Sequence, residues 1–329
     1  MSSILKEYQT ERNNEIEVLR LDANRWLFIL FSQSIPNLRR VDLSNSKYLI
    51  ETPDFSGIIN LERLDLSGCT SLSHVQSSIG LLKKLRFLNL RNCSNLVIID
   101  FGSGGNMNSL SVLYLSGCTK LESSPDFTSA RHFDYLDMDD CTSLSTIHES
   151  IGVLSGLTFL SLRGCIKLVS IPNDINSLAS LQTLDLCGSL NLMDLLPRQA
   201  SSSRLIALVF LDLSFCNLQE VPDAIGELRC LERLNLQGNK IVSVPDSFRG
   251  LHCLAYLNLS HCHKLISLPG LPIKGTTSGG RYFKTVSGSR DHRSGLHLFD
   301  CPQTPPGSWG LAWLFRLIKV HILQPCLFA

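Results

Sequence analysis

Leu61-Glu62-Arg63-Leu64-Asp65-Leu66-Ser67-Gly68-Cys69 is the stretch on which the reading of this chain turns. Leu64 and Leu66 fall on one face of an extended segment and Asp65 on the other, the alternation of a half-buried strand. The same frame, apolar-x-x-apolar-x-apolar with a small residue beyond it, begins at Ile16, Leu38, Leu61, Leu85, Leu110, Phe133, Leu157, Leu181, Leu208, Leu231 and Leu254. Successive starts lie 22 to 27 residues apart. All 33 apolar slots of the eleven units are filled by apolar residues, 29 of them Leu, in a chain that is 44% hydrophobic overall. Positions within a unit are numbered below as columns, with Leu61 in column 1 and Cys69 in column 9.

The second half of each unit keeps a different period. Ile79, Leu82 and Leu85 step by three, as do Ile151, Leu154 and Leu157, then Ile175, Leu178 and Leu181, then Ile225, Leu228 and Leu231, then Phe248, Leu251 and Leu254. A step of three predicts a short 3-10 or irregular turn rather than an α-helix. Pro53, Pro125, Pro172, Pro222 and Pro245 stand just before such turns and end any strand there. One unit of this size cannot fold alone, because ordering its backbone costs roughly 1–2 kcal/mol per residue while each buried Leu stabilises by about 1.5–3 kcal/mol. Stacking is therefore required, with neighbouring strands paired in parallel.

This periodicity resembles the leucine-rich repeat solenoid (horseshoe), an α/β repeat fold with a parallel concave sheet and a short 3-10 or irregular convex side. The expected organisation is a lead-in over 1–15, a solenoid of about eleven repeats over 16–270, and a flexible Gly/Ser/Thr-rich linker over 271–295. A degenerate last repeat, Leu296-His297-Leu298-Phe299-Asp300-Cys301, and a post-repeat segment fill 296–329. Gly102–Gly105 and Gln199–Ser203 are expected to bulge from the convex side or an edge.

Seven of the twelve cysteines, Cys69, Cys93, Cys118, Cys141, Cys165, Cys216 and Cys262, occupy column 9. There a small polar side chain turns inward and meets backbone groups of the adjacent turn. A ladder of reduced structural thiols is the expectation, in preference to disulfides, and no C-x2-C pair exists to suggest zinc. His252, His261 and His263 lie near Cys253 and Cys262, but residues 261 and 262 should point to different sides, so no metal and no cofactor is expected.

Thirty Lys+Arg against 29 Asp+Glu leave a net charge of +1 and no basic field for nucleic acid. The first twenty residues carry charges throughout and no apolar core of a secretory signal, so a cytoplasmic or nuclear protein is expected. Trp309–Leu323 is broken by Arg316, Lys319 and His321, which argues against a membrane span. Catalysis is not expected. Ser289-Arg290-Asp291-His292 falls in the presumed linker, and the phosphate loop G-x-x-x-x-G-K-[ST] needs a Gly-Lys pair that the chain lacks.

Leu61-Glu62-Arg63-Leu64-Asp65-Leu66-Ser67-Gly68-Cys69-Thr70-Ser71-Leu72, Leu157 to Leu168, Thr52-Pro53-Asp54-Phe55 and Leu298-Phe299-Asp300-Cys301 are similar to the repeat region of plant intracellular immune receptors. These are the disease resistance proteins that carry a TIR domain and a nucleotide-binding domain ahead of their repeats, the type of TMV resistance. Trp309–Lys319 is similar to the start of the segment after the repeats in that class. The resemblance implies a fragment of such a receptor without its NAD-cleaving and ATP-binding domains. It implies a protein partner, a pathogen effector or a host protein, and an adjacent nucleotide-binding domain that the repeats restrain in a longer product. The upstream end, with Arg39, Arg40, Arg63, Arg86 and Arg91 offset by Glu17, Asp42, Glu62 and Asp65, corresponds to the end nearest that domain. A generic adaptor and an extracellular receptor ectodomain are the alternatives; the sequons at Asn92 and Asn258 lie in or beside strands, and the chain lacks the plant extracellular repeat ending L-x-G-x-I-P.

Recognition is expected on the concave face. Phe87, Tyr135, Phe159, Phe210 and Tyr256 occupy column 3, Tyr114 column 5, and rigid aromatics anchor interfaces. Asp134, Asp137, Asp139 and Asp140 are expected to face outward together, with no interleaved cation, and to favour a basic partner or plain water. Arg163 completes this candidate patch.

Overall fold

Because column 4 and column 6 must both be buried, each unit extends its chain for three residues and then turns. In the computed structural model the described residues are 18–20, 35–102, 107–189, 205–268 and 295–302, and they divide into two compact units, 1–195 and 196–329. The first unit carries the parallel strands Val18–Arg20, Arg40–Asp42, Arg63–Asp65, Phe87–Asn89, Val112–Tyr114, Tyr135–Asp137, Phe159–Ser161 and Thr183–Asp185. Each pairs with the next in a constant register, so that Arg63, Phe87, Val112, Tyr135, Phe159 and Thr183 stand side by side. The second unit carries Phe210–Asp212, Arg233–Asn235, Tyr256–Asn258 and Gly295–His297, again parallel and in register. A leucine-rich repeat solenoid is built this way: a column in the sequence becomes a row in space.

Every apolar triplet that steps by three closes a single 3-10 turn: Ser77–Leu81, Glu149–Val153, Asn173–Ser177, Asp223–Glu227 and Asp246–Gly250. The backbone N–H of Leu82 donates to Ile79, and the same bond recurs from Leu154, Leu178, Leu228 and Leu251. Pro172, Pro222 and Pro245 immediately precede three of these turns. Units with a looser back side form only fragments of a second sheet there, His74–Val75 paired with Ile98–Ile99.

Column 8 has positive φ wherever it is described. Gly68, Gly117, Gly164, Gly188 and Gly238 adopt it without steric cost, while Asn45, Asn92, Asp140, Phe215, His261 and Asp300 adopt it as L residues. This left-handed residue turns column 9 inward. Cys69 donates its thiol to the carbonyl of Leu43, Cys93 to Leu66, Cys118 to Leu90, Cys141 to Leu115, Cys165 to Met138 and Cys262 to Leu236, at 3.2 or 3.3 Å. Ser189 makes the same bond to Leu162 at 3.1 Å, and Asn239 makes it to Leu213 at 2.8 Å. Each of these eight residues thus satisfies the column 6 carbonyl of the preceding repeat, while Cys216 donates to the Ser214 carbonyl of its own repeat at 3.4 Å. Burial pushes the thiols up, Cys69 to about 11 and Cys93 to about 12, and Cys118, Cys141 and Cys165 further, so all are protonated and unreactive at neutral pH.

The lead-in, the bulge at Gln199–Ser203, the Ser289–His292 string and the segment after Pro302 lie outside the described residues. Of the expected linker over 271–295 only Gly295 is described, and it opens the last strand. Among the described residues no helix is long and apolar enough to cross a membrane.

Candidate functional site

Column 5 must be understood first, because its side chains sit on the outer face yet serve the scaffold. Asp42, Asp65, Asn89, Asp137, Asp185, Asp212, Asn235 and Asn258 each accept a hydrogen bond from the backbone N–H two residues on, at 2.8 to 3.2 Å. Such Asx turns hold the chain as it leaves the strand. They also link sideways, Asn89 to Asp65 at 3.0 Å and Asn235 to Asp212 at 2.8 Å.

Against this polar row, column 3 and the one column 5 aromatic build a continuous line of rings in the first unit. Phe87 meets Tyr114 edge-on at 5.6 Å between centroids, Tyr114 meets Tyr135 at 5.2 Å, and Tyr135 stacks flat on Phe159 at 4.2 Å. Arg63 lays its guanidinium 3.5 Å above Phe87, and Arg91 lies 3.8 Å above Tyr114. All four rings are half-buried, packed on one another while still offering a face to solvent. Tyr135 is held protonated well above the ordinary phenol range, first by burial and then by the Asp137 carboxylate.

The acidic cluster differs from its expected form. Asp137 is not turned to solvent: its side chain is 6% exposed and accepts from Arg91 at 2.6 Å. Arg91 crosses an entire repeat to reach it, braced at Ser116 by a 3.0 Å bond from Nε. An interleaved cation is therefore present, supplied by an arginine that the sequence had placed with the upstream charged surface. Asp139 is half-buried, accepting from the Ser161 hydroxyl and from the Arg163 backbone N–H at 3.1 Å. Burial raises its pKa, the Ser161 bond opposes the rise, and the carboxylates of Asp137 and Asp140 add to it. Asp140 belongs to the left-handed column 8 turn. Asp134, Asp140 and Arg163 are exposed.

In the second unit Arg233 lies 5.7 Å from the Phe210 ring and 5.2 Å from the Tyr256 ring, and Tyr256 contacts His297 at 5.0 Å. Sequence reasoning missed Arg63, Arg91 and Arg233 as partners of the rings. The available signal was their position: columns 3 and 7 of units directly beside an aromatic.

Among the described residues no nucleophile–base pair converges on this face; the groups it presents are rings, guanidinium groups and a few exposed carboxylates. One group of potential metal ligands occurs among the described residues, His261, His263 and Asp300, with one donor atom of each within 4.8 Å of the others. His252, the third member of the sequence cluster, is exposed and stands apart from it.

The leucine-rich repeat family model matches residues 206–263. TMV resistance protein N of Nicotiana glutinosa is 32% identical over 295 residues, covering 73% of this chain and 25% of that protein. Disease resistance protein RPP5 of Arabidopsis thaliana is 33% identical, covering 60% of the chain and 14% of its own length. Disease resistance protein RPS6 of the same plant is 35% identical, covering 72% and 18%. Among solved structures, a leucine-rich repeat protein of Leptospira interrogans matches with a TM-score of 0.42 and 23% identity, over 78% of this chain and 80% of that one. The chain spans a quarter or less of the length of these plant relatives. The chain has the leucine-rich repeat fold, and its repeats are similar to those of plant disease resistance proteins.

Proposed function

We propose that this chain is the protein-recognition module of a plant disease resistance receptor and that it binds its ligand, a pathogen effector or a host protein, on the strand face. The observation that carries the reading is the line Arg63–Phe87–Tyr114–Tyr135–Phe159 beside Arg91. Half-buried rings held by one another lose little entropy on binding, and interface anchors are enriched in such aromatics and in arginine. Asp134, Asp139, Asp140 and Arg163 border the line, and Phe210 and Tyr256 form a second cluster with Arg233. In this reading residues 16–270 are the recognition solenoid, 271–295 a linker, and the product works in the cytoplasm or nucleus. Restraint of a nucleotide-binding domain belongs to a longer product and falls to the upstream repeats. The module itself performs no catalysis.

The test is a binding titration of the full chain against a partner co-purified from plant extract, with thermal melts alongside. Tyr135→Ala and Phe159→Ala should each weaken binding by about 2 kcal/mol or more, roughly thirtyfold. Leu136→Ala, whose side chain is fully buried beneath the same strand, should instead lower stability by roughly 2–5 kcal/mol. Unchanged affinity in both ring variants would remove the strand face of the first unit as the binding surface.

A further inference from the structure

Column 8 obeys a rule throughout the described repeats but for one place. Its side chains project toward the same column of the next repeat, so that a Cβ added at Gly68, Gly117 or Gly164 would collide with Asn45, Asn92 or Asp140. Wherever one column 8 residue carries a side chain, its described neighbour is accordingly a glycine: Asn45 beside Gly68, Asn92 between Gly68 and Gly117, Asp140 between Gly117 and Gly164, Phe215 beside Gly238. The exception is the last pair. His261 and Asp300 both occupy column 8, both have positive φ, and both carry side chains. Nδ1 of His261 lies 3.1 Å from Oδ2 of Asp300, and Nδ1 of His263, two residues on, lies 3.9 Å from the same oxygen.

We infer that His261, His263 and Asp300 form a binding site for a zinc ion that staples the terminal repeat, strand Gly295–His297, to the repeat before it. Two imidazole nitrogens and one carboxylate oxygen are the donors that zinc takes; calcium and magnesium prefer all-oxygen sets. Tetrahedral zinc bonds of about 2.0–2.2 Å place neighbouring donors about 3.3–3.5 Å apart. The observed 3.1 and 3.9 Å bracket that separation, and all three donor atoms lie within 4.8 Å of one another. All three side chains are partly exposed, which leaves the fourth position to water. His261 and Asp300 are 39 residues apart, so the ion adds a further link to the three-residue strand pairing, the Tyr256–His297 and His261–Phe299 ring contacts, and the bonds from the Phe299 N–H to Ser260 and from the Cys301 thiol to Leu259.

The experiment titrates zinc into the full chain by competition with a chromophoric chelator, records the visible spectrum of the cobalt form, and follows hydrogen exchange of Gly295–His297. His263→Ala and Asp300→Asn should each raise the zinc Kd at least about tenfold. His261→Asn, chosen because Asn tolerates the left-handed backbone, should do the same. His252→Ala should bind as the parent does. At zinc a hundredfold above Kd, opening of the last strand should be suppressed about a hundredfold. The cobalt spectrum should be that of a tetrahedral nitrogen/oxygen site, and it decides the matter from the unaltered chain should any variant fail to fold. Unchanged Kd in the folded variants, a thiolate charge-transfer band, or zinc-independent exchange of the last strand would each overturn the site.

Discussion

Raising the pH should dismantle the first unit through its thiol ladder. In the unfolded chain these thiols ionise near 9.0, whereas in the folded repeats burial holds Cys93 near 12 and Cys118, Cys141 and Cys165 higher still. Between those values the unfolded state has lost protons that the folded state keeps, so stability is fully present below about pH 9 and falls as pH rises. For each such thiol the loss at pH 10 is about 1.4 kcal/mol, one pH unit beyond the unfolded pKa. The four deep thiols together remove about 5–6 kcal/mol, comparable to the whole stability of an ordinary domain. Cys69, held near 11, adds almost as much at pH 10. Calorimetric melts at pH 8 and pH 10 should differ by roughly 10–25 °C at about 2–4 °C per kcal/mol. The comparison that isolates the ladder is a chain with Ser at Cys93, Cys118, Cys141 and Cys165, a residue that Ser189 already carries in that column with the same bond. Serine does not titrate, so this variant should lose far less between the two pH values. Parallel losses in parent and Ser variant would refute the reasoning.

Arg91→Ala should destabilise by about 2–3 kcal/mol, since it strands the buried Asp137 carboxylate, and adding Asp137→Asn should recover much of that because Asn keeps the Asx turn; a double-mutant cycle in urea measures the coupling. Gly152→Ala should cost roughly 1–3 kcal/mol, as its methyl would sit 2.9 Å from the Asp174 carbonyl oxygen. Gly156→Ala, whose methyl meets nothing nearer than 3.7 Å, should be neutral or stabilising by up to about 1 kcal/mol, and thermal melts of the pair give the contrast.

What the sequence disclosed and what it withheld divide along one physical line. The Leu frame, the 3-10 turns and the inward thiol column are properties of a single unit: whether a side chain is apolar, whether its step is three, whether it is small. Stacking only repeats such properties, so they are readable without knowing which unit touches which. The proposed recognition face depends instead on lateral contacts across the register. Arg91 and Asp137 are 46 residues apart and have a whole repeat between them, and the guanidinium that pairs with Asp137 is also bonded to Ser116 and laid over the Tyr114 ring. Viewed as isolated columns, Asp137 and Asp139 look like solvated carboxylates; the rows make one of them the acceptor of an arginine and the other that of a serine. Asp300 is the same lesson at the last repeat, since its kinship with His261 appears only when column 8 is compared across neighbouring repeats rather than along the chain. It follows that substitution on the strand face is not free: column 3 can vary ring by ring, whereas column 5 is mostly Asp or Asn for the turn it holds, with Ser161 standing there because Asp139 accepts the Arg163 N–H instead. Variation in ligand specificity should therefore concentrate in columns 2, 3 and 7, with column 5 following where the Asx turn is given up, as at Tyr114 for ring contact and at Ser161, whose turn N–H bonds to Asp139.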